Sequence, residues 1–273
     1  MGKLKRNLQI INNLRKENNR NKNKIYLFFL GHGSYKIGAI AEFIYIVDLF
    51  KILYPYVGTG FWLLEFGKIP LKNSFDFKFN INIIIPMMLF SSKHIKNDIC
   101  LICNYLQSQL KTKIVIMIKD PCSNLLHVKL ICKLLNQCRT GSYFKTSTSM
   151  LILACRGGSD IHSNSQAYLI SRLLWEGMGF GWCEVGFIGV TFPLLKSFWT
   201  IRPLSNVVII PLLLFYGDLY NKLSKDSKSC IITGYIFNHT YSVLILFKRI
   251  EDLFTDYTHN NCVLCKHRFL FSS

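Results

Sequence analysis

The chain repeats itself, and no other feature constrains its fold as strongly. Ile25-Tyr-Leu-Phe-Phe-Leu-Gly-His-Gly-Ser34 matches Met150-Leu-Ile-Leu-Ala-Cys-Arg-Gly-Gly-Ser159 in pattern: an apolar run, a glycine-containing turn and a serine, then a helix-like stretch. His32 answers Arg156 at an offset of 124, and Gly60-Phe-Trp-Leu-Leu-Glu65 answers Glu184-Val-Gly-Phe-Ile-Gly189 at the same offset. Ile83-Ile-Ile-Pro-Met-Met-Leu-Phe90 answers Val208-Ile-Ile-Pro-Leu-Leu-Leu-Phe215 at an offset of 125. Three blocks in order at nearly constant spacing make the chain a tandem of two similar units.

Each unit reads as strand, helix, strand, helix, strand, helix. The strands are unbroken apolar runs, as expected when both faces of a parallel sheet are covered. Helical spacing is plain over Ile40 to Leu53 and over Tyr168 to Glu176, the latter ending at Gly177. The expected fold class is α/β: two similar subdomains, each a parallel sheet flanked by helices, with a cleft between them. Residues 25–140 form the first unit and 149–258 the second, joined across the Ser/Thr-rich stretch Thr140 to Ser149. Ligands of such sheets sit beyond the carboxyl ends of the strands. That places His32, Glu65 and the segment after Phe90 at one mouth.

Composition narrows the partners. The 273 residues carry a formal charge of +18, and residues 1–24 hold eight Lys or Arg against the single acid Glu17. This opening stretch reads as a solvated, disordered tail; no aromatic residue interleaves its charges before Tyr26, so a nucleic-acid arm is the weaker reading. The remaining positive excess favours a polyanionic small substrate. Half the residues are hydrophobic, yet Ile83 to Phe90, Val207 to Tyr216 and Val243 to Phe247 fall short of the roughly 18 to 20 residues that span a bilayer. No membrane partner is expected. Ten cysteines with no secretory signal indicate free thiols in a reducing, cytoplasmic compartment. Most lie in apolar segments and read as core.

The first unit carries His32 after its first strand, Glu65 after its second and His94 shortly after its third. Two imidazoles and a carboxylate at one mouth suit a borderline divalent ion such as Co²⁺, Fe²⁺ or Ni²⁺, and suit proton removal equally. The second unit has Arg156, Gly189 and Leu219 at the matching positions, so one unit alone would do chemistry. A lone histidine after a strand is more often a turn residue than a ligand. The Gly-His-Gly-Ser context of His32 raises it, because flanking glycines let backbone approach a ligand closely.

These residues also carry a family resemblance. Gly31-His-Gly-Ser34, Pro86-Met-Met-Leu-Phe-Ser-Ser-Lys-His-Ile-Lys-Asn-Asp98, and Arg172 to Trp182 with Gly189-Val-Thr-Phe-Pro193 resemble the motifs of the sirohydrochlorin cobaltochelatases (CbiX type). The likeness is to their long, two-repeat form within the class II chelatases, and it runs over most of residues 25–268. After Ser34 the family usually has an Arg-Asp-like stretch, whereas this chain has Tyr35-Lys-Ile-Gly38. The resemblance implies insertion of Co²⁺ into sirohydrochlorin on the route to cobalamin, with no organic cofactor. His32 and His94 would hold the ion as neutral imidazoles, and Glu65 or one histidine would accept a proton. Protonated imidazole cannot ligate, so the rate should fall below about pH 6. The substrate's eight carboxylates would be met by Lys36, Lys93, Lys96, Arg156 and Arg172. A ferrochelatase making sirohaem, a non-catalytic cobalt or tetrapyrrole carrier and a nucleic-acid-binding protein are the competing expectations.

One motif remains. Cys262-Val-Leu-Cys265-Lys-His267-Arg lies in the tail 259–273. A Cys-x-x-Cys pair is half of a zinc or iron–sulfur site. It reads first as an unligated reduced pair. A bound metal or cluster would need further ligands from His259 or a second chain.

Overall fold

The computed structural model describes residues 25–55, 57–65, 79, 81–90, 94–109, 114–117, 128, 131–133, 135–136, 144–201, 206–227, 230–238 and 242–247. In the first half, β1 (Ile25–Gly31) leads through a glycine turn to α1 (Ile37–Leu53). Then come β2 (Gly58–Leu63), β3 (Ile81–Met87), a π-helical turn His94–Ile99 running into α2 (Cys100–Gln109), and β4 (Ile114–Met117). The second half repeats the plan: β5 (Met150–Cys155), α3 (Ile161–Met178), β6 (Trp182–Phe187), the short α4 (Phe198–Ile201), β7 (Val207–Leu212), α5 (Asp218–Asp226) and β8 (Ile231–Ile232). The two sheets have the same order, β2-β1-β3-β4 and β6-β5-β7-β8, and every named pairing in them is parallel. The α/β class with paired parallel-sheet subdomains is thus as expected, and each sheet gains a fourth, edge strand that the repeat blocks did not include.

The register places the repeat on a structural footing. Gly31 pairs with Leu63 and Cys155 with Phe187 at the strand ends. Beyond them Glu65 N–H donates to the His32 carbonyl at 2.8 Å, and Gly189 N–H to that of Arg156 at 3.2 Å. The first two strands of the halves therefore superpose at an offset of 124, and the turn glycines Gly33 (φ 94°) and Gly157 (φ 81°) fall on each other. Leu30 faces Pro86 while Ala154 faces Pro211, so the third strands superpose at 125 through one extra residue in the second half.

Strand β1 is buried on both faces, which explains its unbroken apolar run. Leu27 and Phe29 pack with Phe43, Ile46, Val47 and Phe50 of α1, while Tyr26, Phe28 and Leu30 meet Ile99, Cys103 and Leu106. The outer layers are exchanged. Ile131 and Leu135, which follow β4, lie in the core of the second half with Leu151, Leu153 and Leu174. Val243, Leu246 and Phe247, which follow β8, lie in the core of the first half beside Phe50.

Helix boundaries differ from expectation in two places. α1 begins at Ile37, three residues early, and α3 runs from Ile161 through Gly177 to Met178. Gly179, at φ 67° and ψ 38°, is the left-handed residue that ends α3. Gly177 has nothing within 4 Å of where a Cβ would stand, so packing has no need of a glycine there.

Candidate active site

The carboxyl ends of β1 to β3 face those of β5 to β7 across a cavity of about 720 Å³ lined from both halves. His32 and Glu65 sit on its first wall because two adjacent strands, β1 and β2, end side by side there. His32 Nδ1 lies 3.7 Å from Glu65 Oε2, with the side chains 24% and 44% exposed. Where Tyr35-Lys-Ile-Gly38 departs from the family's polar stretch, the Ser34 hydroxyl accepts the Lys36 N–H at 3.0 Å and steadies the turn into α1.

Arg156 faces His32 from the opposite wall, its Nη1 3.2 Å from His32 Nε2. A guanidinium has donors only, so Nε2 must be the acceptor. That sets the imidazole as the neutral tautomer with its proton on Nδ1, on the Glu65 side. The two residues that the repeat matches by sequence therefore meet in space.

Two further pairs cross between the halves. Lys36, the residue before α1, bridges Asp218 at the start of α5 at 3.1 Å. At the equivalent corner Lys96 meets both oxygens of Asp160 at 2.7 and 2.8 Å. The charges are reversed: the helix-start position is a cation in the first half and an anion in the second. Asp160 also caps α3, accepting the N–H groups of His162 at 2.9 Å and Ser163 at 3.4 Å. Burial acts to raise its pKa. The Lys96 ammonium and the two amide donors together outweigh that and hold the carboxyl below its usual 3.8. A third link runs from Glu42 of α1, which accepts the Tyr216 N–H at 2.9 Å and the Tyr235 hydroxyl. Burial first, and then the hydrogen bond and charge of Glu42, push the Tyr235 phenol well above the ordinary range.

On the second wall the loop after β5 is pinned to the loop after β6. A Cβ on Gly157 would stand 2.2 Å from the Gly189 carbonyl oxygen. Thr191 Oγ1 donates to the Gly158 carbonyl at 2.8 Å, and Asn164 Nδ2 donates to the same oxygen at 2.9 Å. Asn164 thus pins a loop rather than reaching toward a ligand.

Of the other residues named from the sequence, His94 begins the turn after β3, at the mouth but with its side chain outside the described atoms. Lys93, Cys262 and Cys265 lie outside the described residues, as does the 1–24 tail. Among the five cations expected to meet substrate carboxylates, Arg156 is the one described residue that lines the cavity. Lys36 and Lys96 are held by the cross-links above, and Arg172 donates to Glu176 at 2.6 Å on α3. The buried thiols are core, as expected: burial raises Cys103 and Cys155 far above the thiol range and Cys183 to about 11. Among the described residues no group of three His, Cys, Asp or Glu converges as a ready metal cage.

Sequence reasoning missed Glu42, Asp218 and the cross-links. The signal was in the repeat itself, since Lys36 and Asp160 hold one repeat position with opposite charge. Opposite charges at a pair of equivalent corners call for opposite partners on the facing halves.

This architecture, two like parallel sheets facing each other across one cleft, is the fold of solved sirohydrochlorin chelatases. SirB from Bacillus subtilis with Fe³⁺ superposes at a TM-score of 0.71 with 19% identity, over 84% of this chain and 95% of that one. SirB from Bacillus subtilis subspecies spizizenii in complex with cobalt, a sirohydrochlorin chelatase, superposes at 0.68 with 17% identity, over 84% and 94%. Residues 150–250 match the CbiX family. A sirohydrochlorin cobaltochelatase of Priestia megaterium is 34% identical over 134 residues, which are 44% of this chain and 43% of that protein. The resemblance to the CbiX-type chelatases is borne out, and the chain spans under half the length of that curated relative.

Proposed function

We propose that the chain is a sirohydrochlorin chelatase that inserts Co²⁺ into the free tetrapyrrole on the way to cobalamin. The meeting of His32, Glu65 and Arg156 in one cleft between the repeats carries this reading, and the similarity to CbiX and to the Priestia cobaltochelatase supplies the substrate. His32 and His94 take the incoming ion as it sheds water, and Glu65 stands beside His32 to receive a proton. In the ring, two pyrrole N–H bonds break, their electron pairs become cobalt–nitrogen bonds, and the two protons leave through carboxylate or imidazole to water. Glu65 also orients the His32 ring, as a carboxylate beside a ligating histidine does. Cys103, Cys132, Cys155, Cys183 and Cys230 carry free thiols, which fits a reducing cytoplasm. No helix among the described residues is long and apolar enough to cross a membrane.

The test is an anaerobic visible-absorption assay with sirohydrochlorin and Co²⁺, run in parallel with Fe²⁺. Wild type should convert the spectrum faster than the spontaneous reaction, and His32→Ala and His94→Ala should fall to the spontaneous rate. Cobalt binding through the same histidines with no acceleration would replace the enzyme reading with a carrier, and faster turnover of Fe²⁺ would move the assignment to a ferrochelatase.

A further inference from the structure

We infer that Arg156 is a positioning residue that keeps His32 from taking metal until the tetrapyrrole has arrived, so that substrates bind in the order ring, then ion. This rests on the chelatase reading above. The observation is that the second repeat has not simply lost the histidine found in the first. It has put, at the equivalent position, a side chain whose Nη1 lies 3.2 Å from His32 Nε2. An arginine can only donate there, so the Nε2 lone pair, the one a metal ion would need, is engaged by a permanent cation. A divalent ion approaching Nε2 meets that positive charge and must displace a charge-assisted hydrogen bond.

Cross-strand geometry makes the contact a built one. Residues 32 and 156 each follow the central strand of their sheet, and each accepts at its carbonyl an N–H from the neighbouring strand's end. Gly33 and Gly157 then turn both chains away in the left-handed conformation. Arg156 is exposed and lines the cavity, so it can swing. Lys36 and Lys96, the other described cations near the seam, are already held by Asp218 and Asp160. Carboxylates of an arriving tetrapyrrole would therefore find Arg156 the most available described cation in the cavity. Drawing it off Nε2 frees the lone pair as the acceptor macrocycle takes its place. The device withholds the ion from the site when there is no ring to receive it.

The experiment is a Co²⁺ titration of the full chain without tetrapyrrole, followed by visible absorption and calorimetry, for wild type, Arg156→Ala, Arg156→Lys and His32→Ala/Arg156→Ala. Arg156→Ala should bind Co²⁺ roughly tenfold or more tightly than wild type, the scale of one hydrogen bond to a charged group. The double variant should lose that gain, and Arg156→Lys, which keeps a cation, should stay weak. Adding a tetrapyrrole polycarboxylate whose four nitrogens already hold an inert ion such as Pd²⁺, so that the ring cannot take Co²⁺, should tighten Co²⁺ binding by wild type and not by Arg156→Ala. Unchanged or weaker Co²⁺ binding by Arg156→Ala, or a gain that survives loss of His32, would overturn the inference. Turnover by wild type in the chelation assay separates the two failures: with turnover intact the ordering alone is wrong, and without it the chelatase reading falls.

Discussion

Asp160 serves two partners at once, and its replacements separate them. Its carboxylate caps α3 through the N–H groups of His162 and Ser163 and holds Lys96 of the other half through both oxygens. A lost cap costs about 1 kcal/mol. A lysine–carboxylate bridge ranges from near nothing at the surface to about 3 kcal/mol when its bonds are shielded. Here the Asp160 side chain is 14% exposed but Lys96 is 39% exposed, so about 1 kcal/mol is the reasonable share. Asp160→Asn keeps an excellent cap and loses the ion pair, for about 1 kcal/mol, while Asp160→Ala loses both, for about 2 kcal/mol. At about 2–4 °C per kcal/mol in a chain of this size, the alanine variant should melt about 4–8 °C below wild type and the asparagine variant about half as far. A double-mutant cycle of Asp160→Asn with Lys96→Met in urea should return a coupling of about 1 kcal/mol at pH 6. Because the folded carboxyl lies below 3.8, the coupling is fully present above that pH. It should vanish as pH falls through the folded value, so a cycle near pH 3 should read smaller. Coupling below about 0.3 kcal/mol at pH 6 would fall within additive scatter and refute the latch. Equal loss from asparagine and alanine would refute the cap.

Two glycines separated by a few turns should respond in opposite ways. Gly157→Ala must push a Cβ against the Gly189 carbonyl at a φ of 81°, so a loss of more than about 2 kcal/mol is expected in denaturant unfolding. Gly177→Ala inside α3 meets open space and should stabilise by about 0.5–1 kcal/mol. Glu42→Gln should lower the Tyr235 phenol from its raised value without restoring the ordinary one, because burial is the larger cause; ultraviolet titration of wild type and variant reads this directly. Ellman's reagent should leave Cys103 and Cys155 unmodified in the folded chain, since burial keeps both as thiols, and should reach them only on unfolding.

Much of this architecture was legible because repetition and periodicity are backbone properties written in apolar spacing. The Ile83 to Phe90 block against Val208 to Phe215 located the third strands, and the strand-end rule put His32 and Glu65 on one wall. The end of α3 was misread at Gly177 because a glycine in a helix and a glycine past its end look alike until a φ is known. Edge strands β4 and β8 carry too few residues for alternation to mark them. The His32–Arg156 contact could not be read from offsets, since matching positions in a tandem repeat need not meet. They meet here because the two halves face each other mouth to mouth. The Lys36–Asp218 and Lys96–Asp160 bridges are likewise products of that docking, invisible to any pattern within one half.

The exchanged outer layers bear on how the second half persists. Its matching positions hold Arg156, Gly189 and Leu219, so it offers no copy of the first half's chemistry. Yet Val243, Leu246 and Phe247 close the core around Phe50, and Ile131 and Leu135 return the favour against Leu153. Neither half could be excised without laying bare the apolar face that its neighbour covers. Residues 149–258 therefore answer to foldability as well as to the Arg156 contact: the strands and the segment Val243 to Phe247 must persist even where the first half's side chains are not copied. A duplicated domain of this kind becomes a chaperone built into its own sibling.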